Sequence, residues 1–112
     1  MNLISALNDD RQMMLLAVKE AKERGIKLAE AERDYQRAKN VRVLEMRAEH
    51  QPATLIQLLI KGDPEVNKKL FERDVSKIEY ESAQEAINAY KLSARLIEQQ
   101  IQREWNQAGG MI

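Results

Sequence analysis

The sequence predicts an all-α fold, a long antiparallel helical hairpin with a short capping helix at the turn, from three observations. Charged residues make up 32% of the 112 residues and aromatic residues only 4%, a composition typical of long helices rather than of sheets. Glycine and proline are rare, so long segments contain no helix breaker. Apolar residues recur at steps of three and four along two long segments. We therefore expect a single helical domain over residues 1–112 that assembles into a helical bundle.

The first helix is predicted over residues 9–50, a segment without proline and with a single glycine, Gly25. Asp9 is expected to cap its start, with Gln12 completing a capping box. Apolar residues then follow one face, while most charged residues fall on the other faces. The predicted seam comprises Met14, Val18, Ala21, Gly25, Leu28, Ala31, Tyr35, Ala38, Val41, Leu44 and Ala48.

A short helix is predicted over residues 53–60. Pro52 disfavours helical geometry at Gln51 and so ends the first helix. The stretch that follows, ATLIQLLI, is too apolar for an exposed loop and is expected to extend the core at the turn. Gly62 is expected to supply a left-handed backbone conformation where this helix ends.

The second long helix is predicted over residues 64–107. Asp63 can accept hydrogen bonds from the free amides of the first turn, and Pro64 suits the first helical position because an N–H there has no partner. The stretch AGG at Ala108 to Gly110 is expected to end the helix. The clearest apolar seam alternates steps of four and three, as in a coiled coil, through Ala83, Ile87, Tyr90, Ala94, Ile97 and Ile101.

Two long helices of nearly equal length joined by a short connection are expected to run antiparallel, because each then covers the apolar stripe of the other. Pairing about the predicted turn places two residues opposite each other when their numbers sum to about 114. This rule places Gly25, which lacks a side chain, opposite the ring of Tyr90.

The open end of the hairpin carries more apolar surface than one helix pair covers, since MMLLAV, residues 13–18, spans the whole circumference of a helix. Three arrangements would cover it. Leu3, Ile4 and Leu7 fold back within the chain, further copies associate into a four-helix arrangement, or a different protein binds, which the adaptable methionines suit. We favour a homo-oligomer that associates through Met13, Met14, Leu15, Leu16, Leu92, Leu96, Ile97, Ile101 and Trp105.

Several functional classes lack their residues. Without cysteine there is no disulfide, thiolate nucleophile or cysteine metal site. The formal net charge is +0, so no global field draws the protein to nucleic acid or to an anionic membrane. The start, MNLISALNDD, has the pattern of neither a signal peptide nor a membrane span. We find no catalytic, cofactor-binding or metal-ligand spacing, and the single histidine, His50, suits the end of the first helix. We expect no enzyme activity and no cofactor.

A basic cluster offers an alternative site. It comprises Arg33, Arg37, Lys39, Arg42 and Arg47. Asp34 and Glu45 interrupt it, and Tyr35 is the one aromatic residue between its charges. Pairing with acidic residues of the other long helix explains these charges without a ligand. Binding of nucleic acid would instead make the protein an accessory factor in DNA metabolism.

From Pro52 to Trp105 the chain resembles small, uncharacterised helical proteins of phages and prophages of Gram-positive bacteria. The resemblance covers about half the chain and rests on PATLIQLLIKGD, FERDV, AQEAIN and IEQQIQREW. It implies a bacterial cytoplasm and lends no catalytic residues. We therefore expect a non-enzymatic interaction or scaffold protein that self-associates through the open end of the hairpin, with the nucleic-acid-associated factor as the alternative.

Overall fold

The computed structural model describes residues 2–109, which form three helices. Helix α1 is Leu3–Ala48, α2 is Ala53–Gly62 and α3 is Pro64–Gly109. The two long helices are joined by the short one as a helical hairpin, so the predicted fold class is confirmed. The predicted stop at Ala108 to Gly110 is described only in part, because Gly110 lies outside the described residues.

Helix α1 begins six residues earlier than predicted. The Oδ1 atom of Asn2 accepts a hydrogen bond from the Ser5 amide at 3.1 Å, which caps the first turn. The predicted cap, Asp9, is wrong because it lies inside the helix. The apolar residues Leu3, Ile4 and Leu7 continue α1 instead of folding back over it.

The end of α1 is a Schellman motif built on His50, which has the left-handed backbone conformation with a φ of 62°. The Gln51 amide donates to the Met46 carbonyl at 3.1 Å, and the His50 amide donates to the Arg47 carbonyl at 3.0 Å. The left-handed exit predicted at Gly62 is wrong, since no described glycine has a positive φ. After α2 the chain continues through Asp63 in extended conformation.

The predicted start of α3 is confirmed at both positions. Oδ2 of Asp63 accepts a hydrogen bond from the Val66 amide at 3.1 Å, and Pro64 is the first helical residue. The other carboxylate oxygen of Asp63 accepts a bond from Nε of Arg42 at 3.0 Å. One side chain therefore caps α3 and also ties its start to α1.

The chain divides into two compact units. We call Glu23–Tyr80 the central unit, and the described residues within Met1–Lys22 and Glu81–Ile112 the terminal unit. In the central unit Met46, Ile56, Ile60 and Val66 form a buried cluster, and Tyr35 and Val43 pack against it. Helix α2 therefore lies along the last turns of α1.

The predicted register of the helix pair is wrong in the central unit. Three contacts define it, between Gly25 and Tyr80, between Glu32 and Arg73, and between Arg42 and Asp63. The residue numbers of each pair sum to 105 instead of about 114. The reason is that α2 runs alongside α1, so α3 starts opposite Arg42, about 9 Å before the end of α1 at Ala48.

The predicted α1 seam is correspondingly wrong near its end. Val41 and Leu44 are exposed, and so is Val18 nearer the start of the helix. The seam continues through Arg42, whose guanidinium bonds Asp63, and reaches the buried Met46. A charged residue occupies the inward position because its partner lies at the start of α3.

In the terminal unit the buried residues are all alanines: Ala17 and Ala21 on α1, and Ala83 on α3. The α3 seam predicted from Ala83 to Ile101 is confirmed, since each of its members is buried or half-buried. Between the two helices, the Ser93 hydroxyl donates a hydrogen bond to Oδ2 of Asp10.

Candidate functional site

The large apolar residues of the terminal unit lie mostly outside its helix pair. Of the nine residues proposed for self-association, three are half-buried between the helices: Met14, Ile97 and Ile101. The other six are exposed: Met13, Leu15, Leu16, Leu92, Leu96 and Trp105. Leu15 is 68% exposed and Trp105 is 73% exposed, so neither contributes much to the interior.

The burial of alanine and the exposure of larger apolar residues follow from helix geometry. Ala17 is the buried member of the run MMLLAV, and Leu16 and Leu15 lie about 100° and 200° from it around the helix axis. Alanine at the inward positions lets the two helices approach closely and buries little apolar area. The run therefore has four exposed members on several sides of α1: Met13, Leu15, Leu16 and Val18.

The terminal unit has two apolar grooves on its surface. One, of about 460 Å³, is lined by Leu3 of α1 and by Ala89, Leu92, Leu96 and Ile97 of α3, with Ser93 and Gln100 as its polar lining and no charged residue. The second, of about 400 Å³, is lined chiefly by Leu3, Ile4, Ile101 and Trp105. Exposed apolar surfaces of this kind are candidate sites for contact with another macromolecule.

The five basic residues proposed for nucleic acid do not share one face. Arg33 lies 3.5 Å from Asp34, and Arg42 is paired with both Asp63 and Glu45. Arg37 and Arg42 line a groove of about 680 Å³ that also contains four carboxylates, those of Asp34, Glu45, Asp63 and Glu65. Lys39 and Arg47 line a different groove, between α1 and α2.

This second groove of the central unit, of about 450 Å³, is basic. Lys61 of α2 joins Lys39 and Arg47 on its rim, and its lining contains no acidic residue. None of these three cations forms an ion pair with another residue of the range 2–109. Val43, Ile56 and Ile60 supply an apolar floor. The sequence alone does not indicate Lys61 as part of a basic site, because only the placement of α2 brings it near α1.

Helix α3 of the central unit carries an exposed apolar stripe that sequence analysis also missed. It consists of Phe71, Val75 and Ile78, at steps of four and three, and we call it the α3 stripe. The spacing is a usable signal, but the apolar seam predicted for this helix begins only at Ala83. Charged residues between the three positions obscured the pattern.

The most strongly perturbed charges of the central unit have structural roles. Hydrogen bonds from Gln36 and from Arg73 hold the pKa of Glu32 below its ordinary value. The Arg73 guanidinium donates to Glu32 at 2.9 Å and lies 5.2 Å from the centre of the Tyr35 ring. Hydrogen bonds to Glu45 and then to Asp63 raise the pKa of Arg42. These contacts tie α1 to α3 and leave no poised acid or base among them.

Within residues 2–109 no three metal-binding side chains come together, and none of the helices has an apolar segment of the length that crossing a bilayer requires. Comparison of the chain with family models, with curated proteins and with solved structures finds no match. Three surfaces of the described residues are the candidate sites, namely the apolar surface of the terminal unit, the basic groove and the α3 stripe.

Proposed function

We propose that this protein is a non-enzymatic helical interaction protein that self-associates through its terminal unit. One observation carries the proposal: the buried residues of this unit are alanines, whereas leucines, methionine and tryptophan are exposed. Fully burying a side chain of leucine size contributes about 1.5 to 3 kcal/mol relative to leaving it in water. The terminal unit would gain most of this stabilisation if its exposed leucines, methionine and tryptophan became buried.

A second copy of the chain is the partner that we favour. The exposed residues come from α1 and from α3, so two helix pairs packed into a four-helix arrangement bury residues of both. The groove lined by Leu92 and Leu96 has no charged residue that would select a partner of particular charge. Two-fold symmetric dimers are also the commonest closed assemblies of a single chain.

Light scattering across a dilution series tests the proposal together with Trp105 fluorescence. We expect the average mass to fall on dilution and the Trp105 emission to shift as its ring enters water. Replacing Leu92 and Leu96 by glutamine should abolish the fluorescence change. The matched control is Leu58→Gln, the same substitution at an exposed leucine of α2. A protein that stays monomeric at high concentration, with unchanged Trp105 emission, would contradict self-association.

We further propose that the assembly serves as an adaptor or scaffold in a bacterial cytoplasm, in a phage or prophage setting. Support comes from the resemblance of residues 52–105 to phage-encoded helical proteins. Affinity purification from a bacterial host, comparing the parent with Trp105→Ala, tests the adaptor role. The expected result is a partner protein that is retained by the parent and lost with the variant. Recovery of the same proteins with both forms would contradict it.

The basic groove supports a second candidate function, the binding of single-stranded nucleic acid. Lys39, Arg47 and Lys61 line it without an acidic neighbour. If each contacts one phosphate, the logarithm of the binding constant should fall with the logarithm of salt concentration with a slope of about −2. Anisotropy with a labelled oligonucleotide measures this slope. Lys39→Gln should reduce it, and the control Arg37→Gln, in the groove with the carboxylates, should not. No binding at low salt would exclude the candidate.

A further inference from the structure

The α3 stripe is an apolar helix face without a partner in the central unit. Phe71 is 69% exposed, Ile78 66% and Val75 36%. Toward α1 the same helix presents Arg73, bonded to Glu32, and Tyr80, which lies against Gly25. The stripe is roughly half a turn away from these residues around the helix axis.

Two charged residues flank the stripe on one side. Lys68 precedes Phe71 by three residues, and Glu79 follows Ile78. Eleven residues separate these two charges, which places them about 20° apart around the axis. Both are exposed, and neither side chain forms an ion pair within residues 2–109. The stripe therefore has a positive end and a negative end.

We propose that the α3 stripe docks on the α3 stripe of a second copy of this chain, with the two helices antiparallel about a two-fold axis near residues 74 and 75. In this arrangement Phe71 lies level with the second copy's Ile78. Along the helix axis, Lys68 lies about 3 Å from the second copy's Glu79, so the long lysine side chain can reach the carboxylate. Because the axis is two-fold, the ion pair forms twice.

The charge pattern decides between orientations. In a parallel pair the two-fold axis runs along the helices, so the charged flanks of the two stripes lie on opposite sides of the interface and neither Lys68 meets a Glu79. The antiparallel pair brings opposite charges together at both ends, as an isologous interface requires. This contact is separate from association through the terminal unit and does not depend on it.

The test uses a background in which Leu92→Gln and Leu96→Gln weaken terminal-unit association. Sedimentation analysis should still detect a dimer in this background. Lys68→Glu or Glu79→Lys alone should weaken it by about three- to thirtyfold, because each creates two like-charge contacts. The double exchange in one chain should restore the parent affinity. A mixture of the two single variants should restore it as well, since every Lys–Glu contact then re-forms between different chains.

Chemical cross-linking gives a second measurement, which does not depend on any effect of the charge substitutions on folding. The sequence contains no cysteine, so Val75→Cys introduces a single thiol near the proposed axis. A short bis-maleimide should link two Val75→Cys chains efficiently, whereas Lys77→Cys, exposed on another side of the same helix, should remain uncrosslinked. A monomer in the background protein, or equal cross-linking at both positions, would overturn the proposal. Failure of the charge exchange to restore affinity would overturn the antiparallel orientation.

Discussion

Gly25→Ala tests the register of the central unit, because two effects of known size oppose each other at this position. A glycine inside a helix costs about 0.5 to 1 kcal/mol relative to alanine, so helix propensity favours the substitution. A Cβ atom added to Gly25 would lie 3.2 Å from Cε2 of Tyr80. Ordinary carbon contacts are about 3.5 to 4.0 Å, so the ring must retreat by roughly 0.3 Å or more.

The ring of Tyr80 is half-buried, so we expect the crowding to cancel the gain from propensity without exceeding it greatly. Gly25→Ala should change the free energy of unfolding by less than about 0.5 kcal/mol in the parent. In a Tyr80→Ala background the obstacle is absent, and the same substitution should stabilise by about 0.5 to 1 kcal/mol. Gly25→Leu should destabilise the parent by about 1 to 3 kcal/mol.

Urea unfolding followed by circular dichroism measures these differences, at one protein concentration because association shifts apparent stability. Gly62→Ala is the control for propensity alone, since an added Cβ there meets no atom within 4 Å and φ is not positive. Tyr90→Ala is the control for register. The contact between Gly25 and Tyr80 would be absent if Gly25→Ala stabilised the parent as much as it stabilises the Tyr80→Ala background. It would also be absent if the effect of Gly25→Ala depended on Tyr90 instead.

Substitutions at three further positions test the helix ends and the charge contacts. His50→Gly should stabilise by about 1 kcal/mol, because glycine adopts the left-handed conformation without strain, and His50→Val should destabilise; thermal melts check both. Asp63→Ala should cost about 0.5 to 2 kcal/mol in urea unfolding, because the cap on Val66 is lost, whereas Asp63→Asn should retain most of the cap. The lowered pKa of Glu32 means that its stabilisation is complete above the ordinary glutamate pKa and is lost as pH falls through the lowered value. Melting temperatures across roughly pH 6 to 3 should therefore fall less for Glu32→Gln than for the parent.

The boundaries around α2 were predictable because they depend on local chemistry. Pro52 cannot follow a residue with helical geometry easily, and Asp63 with Pro64 is a strong start signal whatever surrounds it. The conformation at the end of α1 was harder to predict from the sequence. Gly62 is intrinsically suited to a left-handed conformation, yet His50 adopts it, because the Schellman hydrogen bonds at the end of α1 require it there.

The register of the central unit and the basic groove depended on the position of α2, which no local pattern specifies. Once α2 lies along α1, α3 starts opposite Arg42, and the facing pairs of the central unit shift. This shift moved the partner of Gly25 from Tyr90 to Tyr80. The same placement brings Lys61 to Lys39 and Arg47, so the basic groove could not be read from α1 alone. The exposed apolar residues of α1 in the terminal unit were predictable, because the run MMLLAV surrounds the helix whereas one neighbouring helix covers only one face.

The alanine interior of the terminal unit has a consequence for hydrogen exchange. Buried Ala17, Ala21 and Ala83 contribute little apolar area against opening, whereas the central unit buries Met46 and two isoleucines. Backbone amides of the terminal unit should therefore open at a lower free energy and exchange sooner in dilute solution. Raising the protein concentration should slow their exchange as copies associate. A protease that cuts opened helices would then degrade the dispersed chain and spare the assembled one, so assembly itself would set the lifetime of the protein.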